Sequence, residues 1–400
     1  MFVFLFEDGT RYNAKMSRGS RKEQAQARWV LPVSIIGIGV MGCASFYLTS
    51  SGIALAFLHT QPVTYDRSLS ASTTFPAIST EAATPPPASL NIAAYEKKLL
   101  QIANYPVIST STASSTSIST STLAKRLWPA KNAPLPLAGA LLPFNRIVAY
   151  YGNFYSSAMG VLGEYPEQEV LQKLASTTEE WQEADPSTPV VPAIDYIVVT
   201  AQGSKGSDGK YRLRMPDDQV DKALDMANQV HGLLFLDVQV GLSNVQTEVP
   251  LLEKYLEMPN VELSLDPEFA MQTSGMPPGT VIGTLDAKDI DFAAHYLANL
   301  VTKDNLPPKI LVVHRFTEDM VTHYQNITPL PQVQIVMDMD GWGFPAKKIN
   351  TYNQVIASEP VQFTGFKLFY KADLQAPAHR LLTPAEVLQL TPEPSYIQYQ

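Results

Sequence analysis

Four stretches of this 400-residue chain share a pattern that few folds accommodate. A β-branched and aromatic run, too short for a helix, ends in an ionisable residue and leads into a helix-like segment. The stretches are LLFLDVQ (Asp237, Gln239), VELSLDPEF (Asp266, Glu268), ILVVHRF (His314, Arg315) and QIVMDMDGW (Asp338, Asp340, Trp342). Strands of a parallel sheet covered on both faces read as near-continuous hydrophobic runs, so carboxylates at several strand ends point to one rim where those ends converge.

The strand-like runs number eight: Ile147 to Tyr151, Tyr196 to Thr200, Leu233 to Asp237, Val261 to Asp266, Ile310 to His314, Val333 to Asp338, Gln362 to Phe369 and Tyr396 to Tyr399. Helical spacing separates them. Pro166-Glu167 opens one helix, with Val170, Leu171 and Leu174 inward, and Pro216-Asp217-Asp218 opens another over Val220, Ala223, Leu224 and Ala227. Further helices are expected near 247–257, 288–303, 317–325, 346–357 and 384–390. Alternating strands and helices over residues 139–400 predict an α/β fold, a (β/α)8 TIM-like barrel. The runner-up, an open doubly wound sheet, would want a glycine-rich first turn, and the first strand here runs into Tyr150-Tyr151-Gly152-Asn153 instead.

The first third of the chain is not domain-like. Residues 1–28 hold six Lys/Arg against three acids, and no charged residue occurs from Trp29 to Tyr65. About 20 apolar residues span a bilayer, so residues 29–59 are expected to form a transmembrane anchor, with a basic cytoplasmic tail and the remainder outside the cell membrane. A cleaved signal peptide is the alternative, but its apolar core is shorter than this run. Val40-Met41-Gly42-Cys43 is similar to a lipobox, with Met41 a poor fit. Residues 60–138 carry Pro85-Pro86-Pro87 and the tract STSTASSTSISTST, and are expected to be a disordered Ser/Thr/Pro-rich stalk. A helix over Leu90 to Ile102 interrupts it.

Charge and cysteine exclude several functions. The formal charge is −9, and residues 1–138 carry six net positive charges, so residues 139–400 hold −15. Such a domain is a poor nucleic-acid binder, because neutralising phosphates supplies most of that affinity. Cys43 is the only cysteine, so the barrel region has no disulfide, thiol nucleophile or zinc-cysteine site. There is no G-x-S-x-G elbow, and no GxGxxG occurs within residues 139–400. The sequence GSKGSDGK at Gly203 to Lys210 misses the P-loop spacing and reads as a polar hairpin. No cofactor is called for.

The quoted strings, together with the ending LLTPAEVLQLTPEPSYIQYQ, resemble an uncharacterised family of membrane-attached bacterial proteins, some labelled lipoproteins. The resemblance covers roughly residues 145–400, implies an extracytoplasmic domain and brings no established activity.

Asp266 and Glu268 stand two apart, which places both on one face if the strand persists; the alternative is a turn at Pro267 whose acids cap the next segment. A carboxyl in an apolar setting can protonate a leaving group while a neighbour in a polar setting stays ionised, the division of labour of glycoside hydrolases. Asp338 and Asp340 repeat the spacing before Gly341-Trp342-Gly343, either a sugar platform or a turn over a packed indole. His314 and Lys367 end or interrupt aliphatic runs where a core residue would be apolar.

The reading is a membrane-tethered, glycoside hydrolase-like enzyme acting on a carbohydrate or cell-envelope ligand. Glu268 and Asp266 with Asp338 and Asp340 are the catalytic candidates, while Asp237, Gln239, His314, Arg315, Trp342, Lys367 and Tyr151 orient substrate. The alternatives are a non-catalytic glycan-binding barrel and a metal-dependent hydrolase, although His59, His231, His295, His323 and His379 show no metal spacing. The sequence names no substrate.

Overall fold

The computed structural model describes residues 89–105, 126–377 and 379–400. Eight parallel strands follow one another around a closed barrel: β1 Arg146–Gly152, β2 Val190–Ala201, β3 Leu233–Val238, β4 Val261–Leu265, β5 Lys309–Arg315, β6 Val333–Met339, β7 Phe363–Leu368 and β8 Tyr396–Tyr399. Closure is made by β1. It pairs with β2 from Arg146↔Val190 to Gly152↔Tyr196 and with β8 from Ile147↔Tyr396 to Tyr150↔Tyr399. An open sheet is thereby excluded. The polar segment after β2 is a hairpin, because Arg212–Arg214 returns antiparallel to Val199–Ala201.

The main helices are α1 Ile92–Ile102, α2 Glu167–Ala184, α3 Asp217–Gln229, α4 Ala287–Asp304 and α5 Pro345–Thr351, the last continued by a wider turn over Tyr352–Ala357. Their sequences explain their ends. Pro166 and Pro216 precede α2 and α3 and leave no N–H to satisfy, while α4 starts on an Asp286/Asp289 capping box and stops at Asn305 with φ of 52°. Two expected helices are not continuous. Pro250 breaks the segment 245–256 into three short turns. At 317–325 the left-handed His323 separates two 3-10 turns, and Val321–Thr322 pairs instead with Leu285–Asp286.

Part of what the sequence assigns to the stalk belongs to the domain. Tyr95 and Ile102 of α1 are buried with Trp128 and Leu142 against Ile147, Phe235, Ile310 and Phe363, at the amino-terminal end of the barrel. Polar contacts fix this plug. Trp128 Nε1 donates to the Gln362 carbonyl at 2.8 Å, Gln334 bonds both backbone groups of Leu142, and the Asn104 amide donates to the Leu388 and Leu390 carbonyls. Ile102→Ala is expected to cost about 3 kcal/mol through the lost methylenes and the cavity left behind. Urea denaturation of the domain from residue 89 checks this; an unchanged midpoint would mean that α1 does not seal the barrel.

Among the described residues no helix is long and apolar enough to cross a membrane. The expected span at 29–59, Cys43 and the tract Ser109–Thr122 lie outside them.

Candidate functional site

Side chains on a strand alternate between the barrel interior and the helices outside. The interior positions become polar towards the carboxyl ends: Asp195 on β2, Asp237 on β3, Ser264 on β4, His314 on β5, Asp338 on β6, Lys367 on β7, and Tyr396 and Gln398 on β8, all buried. Beyond the strand ends a cleft of about 400 Å³ opens, lined by Tyr151, Gln239, Asp266, Glu268, Asp340 and Lys367. Its walls are apolar and aromatic, made of Met159, Phe269, Phe316, Trp342 and Phe369.

Pro267 shapes the Glu268 corner. β4 stops at Leu265, a 3-10 turn covers Pro267–Phe269, and Asp266 Oδ1 accepts the Glu268 N–H at 3.1 Å. The capping turn is therefore real, and Glu268 still faces the cleft. Gly283 locks the corner from behind: its N–H donates to the Glu268 carbonyl, and a Cβ there would lie 2.6 Å from that oxygen. Asp266 is further held by Gln239, whose amide donates to Asp266 Oδ2 at 3.1 Å and to the Tyr151 hydroxyl at 3.3 Å.

Across the cleft, Asp340 follows the end of β6 and pairs with the Lys367 ammonium at 3.0 Å. That ammonium also sits 3.9 Å from the centre of the Tyr151 ring. The Gly341-Trp342-Gly343 loop is pinned by the buried Lys348, which bonds the Gly341 and Lys367 carbonyls and pairs with Asp373 at 2.8 Å, while Asp373 accepts the Gly343 N–H. Burial lowers the Lys348 ammonium to about 8, but three acceptors hold it in place. Trp342 is half exposed at the rim with Lys347 4.5 Å from its ring centre, so the packed-indole alternative does not apply.

Three candidates lie deeper than a substrate contact allows. Asp237, His314 and Asp338 are fully buried beneath the cleft floor, where Tyr151 donates to Asp237 Oδ2 at 2.7 Å and His314 Nδ1 stands 3.1 Å from Asp338 Oδ2. Gly365 makes room for Asp338, since a Cβ there would collide with Asp338 Oδ1. Asp338 is thus corrected as a nucleophile, and Asp237 and His314 as substrate contacts. Arg315 is corrected more fully. One residue after His314, it points out of the barrel, bonds the Thr317 and Glu318 carbonyls and pairs with Glu359.

Asp195 was not expected. It accepts from Ser264, Tyr396 and Gln398, and its signal was a lone carboxylate inside the apolar run VVPAIDYIVVT, one residue before the expected start of that strand.

So many buried acids cannot all ionise. Burial, reinforced by the charges of Asp266 and Asp340, pushes Glu268 up to about 8, so its carboxyl is protonated at neutral pH. Burial also raises Asp237 to about 8 and Asp266 to about 6, although the charge of His314 opposes both. Among the described residues no donor reaches the Glu268 carboxyl, and no group of three His, Cys, Asp or Glu converges to hold a metal ion.

No family model and no curated protein matches the chain. Among solved structures it is similar to the cellulase Cel5C_n, at 11% identity and a TM-score of 0.31 over 56% of this chain, spanning 65% of the cellulase. It is also similar to the Bacillus subtilis mannanase man26, at 12% identity and a TM-score of 0.33, over 64% of this chain and 80% of that one. Plasmodium falciparum HPPK-DHPS with pteroate scores 0.30 at 11% identity, over 64% of this chain and 44% of that one. Scores of this size carry no argument about activity. The barrel assignment rests on the strand pairing described above.

Proposed function

We propose that the barrel is a hydrolase of glycosidic bonds, with Glu268 as general acid and Asp340 as nucleophile or water-activating base. One observation carries this reading: Glu268 is the cleft carboxyl that the protein neither neutralises nor hydrogen-bonds among the described residues, and its surroundings keep it protonated at neutral pH. A protonated acid facing a cleft can deliver its proton to a leaving glycosidic oxygen. Asp340, held by Lys367, supplies the second carboxylate. Asp266 positions Glu268 through its backbone N–H and adds the negative charge that keeps the proton on it.

Aromatic walls and a half-exposed Trp342 suit the apolar faces of sugar rings. Trp342→Ala is expected to weaken binding of a soluble oligosaccharide about tenfold and to leave the melting temperature within about 2 °C, because the indole is half exposed. Titration calorimetry checks the first part. Equal affinity in the variant would remove the platform role.

The test of the reaction is a screen of envelope and plant glycans with product analysis by proton NMR. A retained anomer assigns Asp340 as nucleophile and an inverted one assigns it as base; no release from any glycan, with binding preserved, would favour a non-catalytic glycan-binding barrel. We also propose that residues 29–59 anchor the chain in the cell membrane with the barrel outside, on the strength of the charge-free run and the basic residues that precede it. Release of the full-length chain by carbonate washing would overturn that.

A further inference from the structure

The buried layer under the cleft floor is not used by this reaction scheme, yet its geometry is specific. His314 Nδ1 lies 3.1 Å from Asp338 Oδ2 and 3.7 Å from Asp340 Oδ2, and its Nε2 faces Asp237 Oδ1 at 3.9 Å. Nδ1 is thus within hydrogen-bond reach of Asp338, while Nε2 has no hydrogen-bond partner among the described residues and lies in the field of the Asp237 carboxyl, an arrangement of acids on both sides of the ring that suits a charged imidazole. Tyr151 closes the layer from above, with its ring edge-on to the imidazole at 5.9 Å. Asp195 lies in the same layer, and its Oδ1, like Asp338 Oδ1 and Asp237 Oδ1, has no partner among the described residues.

We propose that His314 is a positioning residue, a buried imidazolium that bridges Asp338 and Asp340 and so fixes the Asp340 carboxylate opposite Glu268. The inference deepens the hydrolase reading and rests on it for its kinetic part. Asp340 then stands between two cations, His314 below and Lys367 beside it. Lys367 opposes a charge on His314, and the carboxyls around the ring favour one. Burial acts against the charged ring, but the bond to Asp338 and the charges of Asp340 and Asp237 outweigh it and raise His314 to about 10. Of the other titratable groups facing the layer, Asp266 and Glu268 stand above it on the β4 side, and Tyr396 is committed to Asp195 on the β8 side.

Two measurements test this. In the nitrogen-15 NMR spectrum of the histidine-labelled full chain, assigned with His314→Gln, both nitrogens of His314 are expected to stay protonated from pH 6 to pH 9. A neutral tautomer at pH 7 would overturn the proposal. In kinetics, His314→Gln keeps a hydrogen-bond donor and removes the charge, so kcat is expected to fall at least tenfold with KM within twofold, and the acid limb of the pH profile to move to higher pH. An unchanged kcat and limb would overturn the positioning role. If the wild type turns over no glycan, the hydrolase reading fails by itself, and the NMR spectrum still decides whether His314 is the cation. If the Gln variant does not fold, the wild-type spectrum decides in the same way, its ring identified by the resonance that is insensitive to pH among the exposed histidines.

Discussion

Glu268→Gln is expected to reduce glycan hydrolysis by about 10²- to 10⁴-fold, the range that a general acid contributes. The fold should not suffer. At neutral pH the carboxyl is already neutral, so the amide reproduces its shape and charge while removing the transferable proton. A second substrate separates proton donation from mere occupancy of the cleft. With an aryl glycoside whose phenolate leaves unaided, protonation is dispensable, and the variant should recover most of its first-step rate. Equal loss on both substrates would mean that Glu268 binds rather than protonates, and wild-type turnover on glycan would remove it from catalysis.

The second large effect concerns pH. The barrel should be more stable at pH 5 than at pH 9, against the usual expectation of greatest stability near neutrality. Asp237 and Glu268 are raised to about 8, Glu262 to about 7 and Asp266 to about 6, in each case chiefly by burial. Carboxyls of the unfolded chain titrate at about 4. Between these values the folded state binds more protons than the unfolded one, so stability falls as pH rises from about 4 to 8.

His314 acts in the same direction. Its pKa is raised to about 10 from an ordinary value of 6.5, so the stability it contributes is complete below pH 6.5 and is lost as pH rises through 10. On the acid side, the hydrogen bonds to Asp185 outweigh burial and lower it to about 2, and the Arg380 pair lowers Glu386 to about 2, so the stability from these two is lost only below about pH 4. One pKa unit corresponds to about 1.4 kcal/mol, and several units together imply a fall in melting temperature of roughly 10 °C from pH 5 to pH 9. Calorimetry across that range measures it. A flat or rising midpoint would show that the interior acids are ionised at little cost. Asp237→Asn, which fixes one of them in a neutral form, should flatten the slope.

Much of this architecture is local and was readable in the residues themselves. A strand must alternate or stay apolar and a helix must repeat near every fourth residue, so the eight runs and the starts of α2, α3 and α4 follow from spacing, prolines and caps. The strand-end carboxylates were visible for the same reason, since an acid closing an apolar run has few bland explanations. The depth of each group is not local. Asp237, His314 and Asp338 look in sequence like Asp266, Glu268 and Asp340, but closure of β1 onto β8 and the stagger between strands bury the first three under Tyr151 and leave the second three at the mouth. His314 and Arg315 are neighbours with opposite fates, because successive side chains leave a strand on opposite faces and only the closed barrel decides which face is interior. The same holds for α1: its amphipathic spacing announces a helix, but only the open amino-terminal end of the barrel, with Trp128 and Leu142 beside it, supplies the apolar surface that turns a helix within a stalk into the plug of a domain.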